Sequence, residues 1–191
     1  MKASHVLLSL AVLGIAVALG IGIVKNWPAN QDNEHSGAMG QEPQQAQAES
    51  PMISQPRPDF AMPDLTGTRR NIKEWDGKVL AVNFWATWCE PCKQEIADFN
   101  ALQKEYGGKG FQFVGVALDD LDAVQTYLKT GTIAYPVLIG ADQAAQVASR
   151  YGDDQGVVPY TAFVNRKGQI AFIQYGEMSR DLARQVIESL L

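Results

Sequence analysis

The stretch from Val79 to Lys93 constrains the fold of this chain more than any other part of its sequence. It begins with a short apolar run that favours a β-strand and ends in Cys-Glu-Pro-Cys-Lys, after which a helical pattern starts. Cys89 and Cys92 are the only cysteines in the chain. At helical spacing, residues three positions apart lie about 5–6 Å from each other, which is inside the range that a disulfide allows. The pattern therefore predicts a strand, then a cysteine pair that can close and reopen at the start of a helix.

The position of Cys89 favours a reactive sulfur. In the first turn of a helix, unpaired N–H groups and the positive end of the dipole stabilise a thiolate. A Cys-x-x-Cys between a strand and a helix therefore predicts a redox-active pair. A structural disulfide is the alternative, and it is the weaker interpretation because so short a loop restricts the unfolded chain little.

Composition and charge exclude several other functions. The net charge is −5, and the 16 Lys and Arg residues form no long basic run, so nucleic-acid binding has no electrostatic basis. The two histidines, His5 and His35, both precede the predicted domain. A domain with two cysteines and no histidine cannot assemble a Cys/His zinc site or a Cys-His nucleophile pair. We expect neither a metal nor a cofactor.

The N-terminal sequence predicts a membrane anchor. Val6 to Val24 carries no charge and is flanked by Lys2 and Lys25, and its length is near the lower limit for a helix that spans a bilayer. We predict a transmembrane signal anchor over residues 1–25. The alternative is a signal peptide that is cleaved at the small residues 16–18.

Residues 26–57 predict a flexible tether. They are rich in Gln, Ala, Glu, Ser and Pro and have little periodic apolar pattern. Such a composition cannot bury enough apolar surface to offset the entropy lost on ordering. Because the amino terminus and Lys2 favour a cytoplasmic start for the anchor, we expect the rest of the chain on the extracytoplasmic side.

Residues 58–191 predict one α/β domain. Val79–Trp85 is apolar almost throughout, as in a central strand that is covered on both faces. From Pro91 to Tyr106, apolar residues recur at helical spacing. The remaining predicted elements are an edge strand or hairpin within Asp59–Asp76, strands at Phe111–Leu118, Val137–Ile139, Val157–Val164 and Gln169–Tyr175, and helices at Leu121–Lys129, Gln143–Tyr151 and from Ser179 onward. This alternation predicts three layers.

That order of elements, together with Trp88-Cys89-Glu90-Pro91-Cys92-Lys93 and Val158-Pro159, resembles the thioredoxin fold. More narrowly, the chain resembles the TlpA/ResA/DsbE-like group of membrane-anchored, extracytoplasmic thiol–disulfide oxidoreductases. The phrase Val-Asn-Phe-Trp-Ala-Thr-Trp-Cys is the most diagnostic part. The resemblance implies a thioredoxin-like three-layer α/β/α fold with a central mixed sheet, and an inserted helix–strand unit between Cys92 and Pro159.

The resemblance also implies roles for individual residues. Cys89 is expected to attack a client disulfide and Cys92 to resolve the mixed disulfide. Pro159 is expected to be a cis-proline that faces the sulfurs, with the Val158 backbone pairing to a substrate strand. We also expect Trp88, Glu90 and Pro91 at the substrate-binding surface; the alternatives are core packing for Trp88 and the opening of the helix for Pro91.

One position departs from thioredoxin. Thioredoxin has a buried aspartate where this chain has Asn83, and an asparagine cannot carry the proton. In the ResA-like relatives an acid beyond the next strand lies near the cysteines, which here indicates Asp120, or Asp119 if the register differs by one residue. Capping of the helix that starts at Leu121 is the alternative role for Asp120.

The resemblance implies a monomeric reductase held at the inner membrane. Its expected substrates are disulfides of exported proteins, including the Cys-x-x-Cys-His segments of apocytochromes c, and its expected electron donor is a membrane carrier of the DsbD/CcdA kind. Glu90 opposes a negative sulfur while Lys93 attracts one, and no histidine is present to pair with the thiolate. We therefore expect a reductant and not a strong oxidant.

Three alternative functions remain open from the sequence. One is a dithiol oxidant or isomerase with the same cysteines. Another is a thiol peroxidase, because the start Pro-Asp-Phe-Ala-Met-Pro-Asp-Leu is shared with peroxiredoxin-like proteins. The last is a tethered binding module whose cysteines do no chemistry.

Overall fold

The computed structural model describes residues 50–191. The predicted anchor over residues 1–25 and the predicted tether up to residue 49 lie outside this range. Within residues 50–191, no helix combines the length and the apolar character needed to cross a membrane. The last residues of the predicted tether already contact the domain. The N–H of Ser54 donates to the carbonyl of Ile170 at 2.8 Å, and the N–H of Arg57 donates to the carbonyl of Gly168 at 2.8 Å.

The described chain forms seven strands, four α-helices and two short 3₁₀ helices. The strands are β1 Ala61–Pro63, β2 Arg69–Asn71, β3 Val79–Trp85, β4 Phe111–Ala117, β5 Val137–Ile139, β6 Tyr160–Val164 and β7 Ile170–Tyr175. The α-helices are α1 Glu90–Tyr106, α2 Leu121–Tyr127, α3 Ala141–Arg150 and α4 Arg180–Leu190, and the 3₁₀ helices are Ile72–Trp75 and Gly107–Lys109. Strands and helices alternate, as the sequence predicts.

The main sheet has five strands in the order β5-β4-β3-β6-β7. β3 is parallel to β4 and antiparallel to β6, and β4 is parallel to β5, so the sheet is mixed. Every residue of β3 is buried, which confirms the predicted central strand. β1 and β2 form a separate antiparallel pair within the segment predicted as an edge strand or hairpin.

Helices cover both faces of this sheet. Side chains of β3 alternate between the faces, as the pleat of a strand requires. One face packs against α3 in a cluster that includes Leu80, Val82, Phe84, Val147 and Tyr151. The other face packs against α1 and α4 in a cluster that includes Val79, Ala81, Phe99, Leu102, Val186 and Ile187. The three layers and the thioredoxin-like fold are therefore confirmed.

Near the site, one prediction is confirmed and another is corrected. The helix–strand unit implied between Cys92 and Pro159 is present as α2 followed by β5, and β5 forms one edge of the sheet. The strand predicted from Val157 begins only at Tyr160. Pro159 has no N–H to donate to a neighbouring strand, so residues 157–159 form a loop that leads into β6.

Candidate active site

Cys89 and Cys92 are joined by a disulfide where β3 gives way to α1. Their Cα atoms lie 5.3 Å apart, as the helical spacing predicts. Cys89 is the N-cap of α1, and its Sγ accepts a hydrogen bond from the N–H of Cys92 at 3.3 Å. Cys89 is 5% exposed and Cys92 is fully buried. In this arrangement Cys89 is the sulfur that a partner can reach, and it is also the one that the helix start stabilises as a thiolate.

The loop between β3 and α1 is fixed by the end of β4. The N–H of Thr87 donates to Oδ2 of Asp119 at 2.6 Å, and the N–H of Leu118 donates to the carbonyl of Trp85 at 2.8 Å. Pro91 lies in the first turn of α1, where its missing N–H costs nothing. The cysteines are therefore held by the ends of two central strands.

The Val158–Pro159 peptide bond is cis. Val158 packs against the hydrophobic cluster that contains both cysteines, which brings this loop to the disulfide. Oδ1 of Asp153 accepts a hydrogen bond from the N–H of Val157 at 3.1 Å and so shapes the approach to the proline. The pairing of Val158 with a substrate strand stays a prediction.

The charges beside the disulfide cancel each other. Nζ of Lys93 lies 2.5 Å from Oε2 of Glu90, and both side chains reach the solvent. Exposed ion pairs of this kind contribute little to stability, but this one keeps the ammonium group engaged by a carboxylate. Trp88 precedes the cysteines and is 68% exposed, so the surface around Cys89 presents an aromatic ring.

Asp120 is the N-cap of α2. Its Oδ1 accepts a hydrogen bond from the N–H of Ala123 at 2.8 Å, and its side chain is exposed. Asp119 instead accepts the bond from Thr87. The geometry gives Asp120 the capping role that the sequence left as the alternative, and its role in proton transfer stays a prediction.

The helix that begins at the cysteines also carries a buried carboxyl group. Glu95 is one helical turn beyond Cys92 in α1 and is 2% exposed. Oε1 accepts a hydrogen bond from Nδ2 of Asn83 at 2.9 Å, and Oε2 accepts one from the N–H of Met178 at 3.1 Å. Burial raises the pKa of Glu95 to about 7, against the opposing effect of these two donors. Glu95 can therefore hold or release a proton near neutral pH.

The sequence analysis missed Glu95 because it followed only the apolar residues of α1. A signal was nevertheless present, since position 95 is three residues after Cys92 and four before Phe99. Both neighbours belong to the buried face of the helix. A charged residue in line with a buried face is uncommon and indicates a special environment.

We predict that stability falls with rising pH because of Glu95. Its ordinary pKa is 4.5 and its pKa in the folded chain is about 7. Between these values the folded state holds a proton that the unfolded state has lost, so the free energy of unfolding decreases, by on the order of 3 kcal/mol in total. Urea unfolding of the oxidised full chain at pH values below and above this window measures the loss. Glu95→Gln removes this contribution, and an equal pH dependence in both chains would contradict the assignment.

Comparison with known proteins places the chain in a family. The model of the Redoxin family matches residues 53–191. The thiol-disulfide oxidoreductase ResA of Bacillus anthracis is 30% identical over 137 residues, which cover 71% of this chain and 77% of the relative. ResA of Bacillus subtilis strain 168 is 30% identical over 126 residues, covering 65% and 68%.

A solved structure extends the comparison to three dimensions. It is a Chlorobium tepidum protein described as a DsbE thiol:disulfide interchange protein, with a TM-score of 0.66 and 29% identity. The match covers 73% of this chain and 98% of that one. Residues 53–191, which the Redoxin model matches, include the disulfide, the cis-proline and Glu95 described above. The chain thus belongs to the Redoxin family and is a protein thiol–disulfide oxidoreductase of the TlpA/ResA/DsbE type, with a thioredoxin fold.

Proposed function

We propose that this chain reduces disulfides of exported proteins through Cys89 and Cys92. The observation that carries the proposal is a cysteine pair at a helix start beside a cis-proline, with a carboxyl group buried one turn behind it. Two-step thiol–disulfide exchange requires an accessible sulfur, a second sulfur that resolves the mixed disulfide, and a group that accepts the proton of that second thiol.

The first step is attack by Cys89. In the reduced chain its thiolate attacks one sulfur of a client disulfide, the client S–S bond breaks, and the second client sulfur leaves as a thiolate. The N–H of Cys92, which lies 3.3 Å from Sγ of Cys89 in the oxidised chain, stabilises negative charge on that sulfur. The product is a mixed disulfide between Cys89 and the client.

The second step is resolution by Cys92. Because this residue is fully buried, its thiol proton needs an acceptor inside the protein. Glu95, about 5–6 Å away at helical spacing, takes the proton. The Cys92 thiolate then attacks Sγ of Cys89, the bond between Cys89 and the client breaks, and the client sulfur that was bound to Cys89 leaves as a thiolate. Two electrons have moved to the client, and Glu95 returns its proton to the solvent.

Client recognition falls to the surface around Cys89. An extended client segment would pair with the Val158 backbone and lie across the exposed ring of Trp88, with Glu90 and Pro91 at its edge. We propose that the clients include the Cys-x-x-Cys-His segments of apocytochromes c, as the resemblance implies. A membrane donor of the DsbD/CcdA kind would return the chain, working as a monomer, to its reduced form.

Residues 1–25 would anchor this activity to the inner membrane with the domain outside the cytoplasm. A membrane-impermeant maleimide tests the location in intact cells that have been treated with a reductant. We expect labelling of the chain before lysis. Labelling that occurs only after lysis, with a cytoplasmic thiol protein as the reference, would contradict an extracytoplasmic domain.

We predict a reduction potential typical of a reductant. Because Lys93 is paired with Glu90 and Glu90 itself opposes a nearby anion, the Cys89 thiolate gains little from side-chain charge. Equilibration with glutathione should place the potential nearer to the value of thioredoxin, about −270 mV, than to that of DsbA, about −120 mV. A potential close to the DsbA value would support the oxidant alternative instead.

A further inference from the structure

Asn83 occupies the centre of the molecule, directly behind the active site. It lies in the middle of β3, in register with Gly115 on one side and Thr161 on the other, and is fully buried. Its Nδ2 donates hydrogen bonds to Oε1 of Glu95 at 2.9 Å and to Oγ1 of Thr161 at 3.0 Å. Its Oδ1 has no hydrogen-bond partner among the described residues. Buried amides are normally paired at both atoms, so this one calls for an explanation.

The arrangement suits only one proton state of Glu95. Both carboxyl oxygens face N–H donors, one from Asn83 and one from the backbone of Met178. An ionised carboxylate accepts both bonds. A protonated carboxyl must donate its O–H, and neither of these neighbours can accept it. The backbone N–H of Met178 is fixed in direction, whereas the amide of Asn83 can turn about its terminal torsion.

We propose that Asn83 is a positioning residue whose side-chain amide reverses when Glu95 takes up a proton. In the reversed state Oδ1 accepts the O–H of Glu95, and the hydroxyl of Thr161 changes from acceptor to donor towards the same oxygen. Thr161 can make this change because a hydroxyl both donates and accepts. The inference rests on the proposed function, in which Glu95 alternates between two proton states. Asn83 then supplies a hydrogen-bond partner for each state.

Two other groups act on Glu95 through charge and not through a hydrogen bond. Glu177, in the turn before α4, contributes a like charge that raises the pKa of Glu95. Tyr135, in the segment before β5, has a buried hydroxyl that makes no hydrogen bond to Glu95 in the described structure, and burial raises its pKa far above neutral, so it stays uncharged. On α1 itself, Cys89 and Cys92 are held in the disulfide in the oxidised chain. Proton uptake by Glu95 in that form is therefore coupled to Asn83.

Carbon-13 NMR of the Glu95 carboxyl carbon in the oxidised full chain tests the proposal. In Asn83→Leu, the ionised form loses a charge-assisted hydrogen bond and the protonated form loses a weaker neutral one, so we expect the titration midpoint to rise by about one pH unit. In Thr161→Val, Asn83 loses an acceptor while Glu95 is ionised and a donor while Glu95 is protonated, so the two losses largely offset and we expect a smaller shift. Val82→Ala is the matched control, because Val82 is buried on the opposite face of β3 and its truncation should leave the midpoint unchanged.

The reversal has its own readout. In the wild-type chain, the side-chain N–H protons of Asn83 should show nuclear Overhauser contacts to Thr161 above the Glu95 midpoint and lose them below it, and Glu95→Gln should remove that change. Contacts between the Asn83 N–H protons and Thr161 that are unchanged below the midpoint, or a midpoint that is unchanged or lower in Asn83→Leu, would overturn the proposal. These measurements involve no client, so they are independent of whether the chain reduces disulfides.

Discussion

Replacing Cys89 by serine is expected to abolish disulfide exchange while leaving the fold intact. Cys89 is the sulfur that a client can reach, and Cys92 is fully buried behind it. A hydroxyl is not a nucleophile for disulfides at neutral pH, whereas a thiolate at a helix start is. Reduction of a model protein disulfide by the prereduced chain should fall to the uncatalysed rate.

Serine is well suited to this test because Cys89 is the N-cap of α1. Serine is among the preferred N-cap residues, so the helix start should be retained. The disulfide closes so short a loop that its loss adds little instability. Urea unfolding of the variant should match that of the reduced wild type. A variant that folds in this way and still reduces the client would mean that another group does the chemistry.

Replacing Glu95 by glutamine is expected to slow resolution of the mixed disulfide by about a hundredfold at neutral pH. General acid–base groups typically contribute this much or more. Glutamine keeps the size of the side chain and can still accept the hydrogen bond from Asn83, but it cannot accept the Cys92 proton. The rate of the wild-type chain should rise with pH through about 7, the pKa of Glu95, and this rise should be absent in the variant.

Two measurements separate the attack from the resolution. Single-turnover kinetics gives the rate of resolution, and the alkylation rate of Cys89 measures the reactivity of its thiolate without any contribution from Cys92. The variant should keep the wild-type alkylation rate within a few-fold. Asp98→Asn is the matched control, because Asp98 is a carboxylate of the same helix that is partly exposed. Equal resolution rates for wild type and Glu95→Gln would show that the Cys92 proton leaves by another route.

The parts of the fold that the sequence predicted well depend on local patterns. The run Val79–Trp85 is apolar on both sides of the pleat, and only a strand inside a covered sheet suits it. The spacing of the two cysteines and the proline between them identify the start of α1 without knowledge of any other element. Val158-Pro159 could be assigned only through the resemblance, since a single X-Pro pair is common in loops.

The buried half of the site depends on contacts between distant residues. Glu95 meets Asn83, 12 residues earlier, and Asn83 meets Thr161, 78 residues later. The contact with Thr161 exists because β3 pairs with β6, and that pairing cannot be derived from one segment. Asp120 shows the opposite problem. Its place before a helix predicts a cap, the resemblance implies an active-site acid, and its bond to Ala123 shows the cap.

The most direct test is to identify the sulfur that joins chain and client. Cys92→Ala removes the resolving thiol, so the mixed disulfide should accumulate in cells and survive acid quenching and alkylation. Peptide mass spectrometry should then find every client sulfur linked to Cys89, and the double variant lacking both cysteines should trap nothing. If Cys92→Ala accumulates no linked client while the wild-type chain still reduces that client, the two-step exchange described above is wrong.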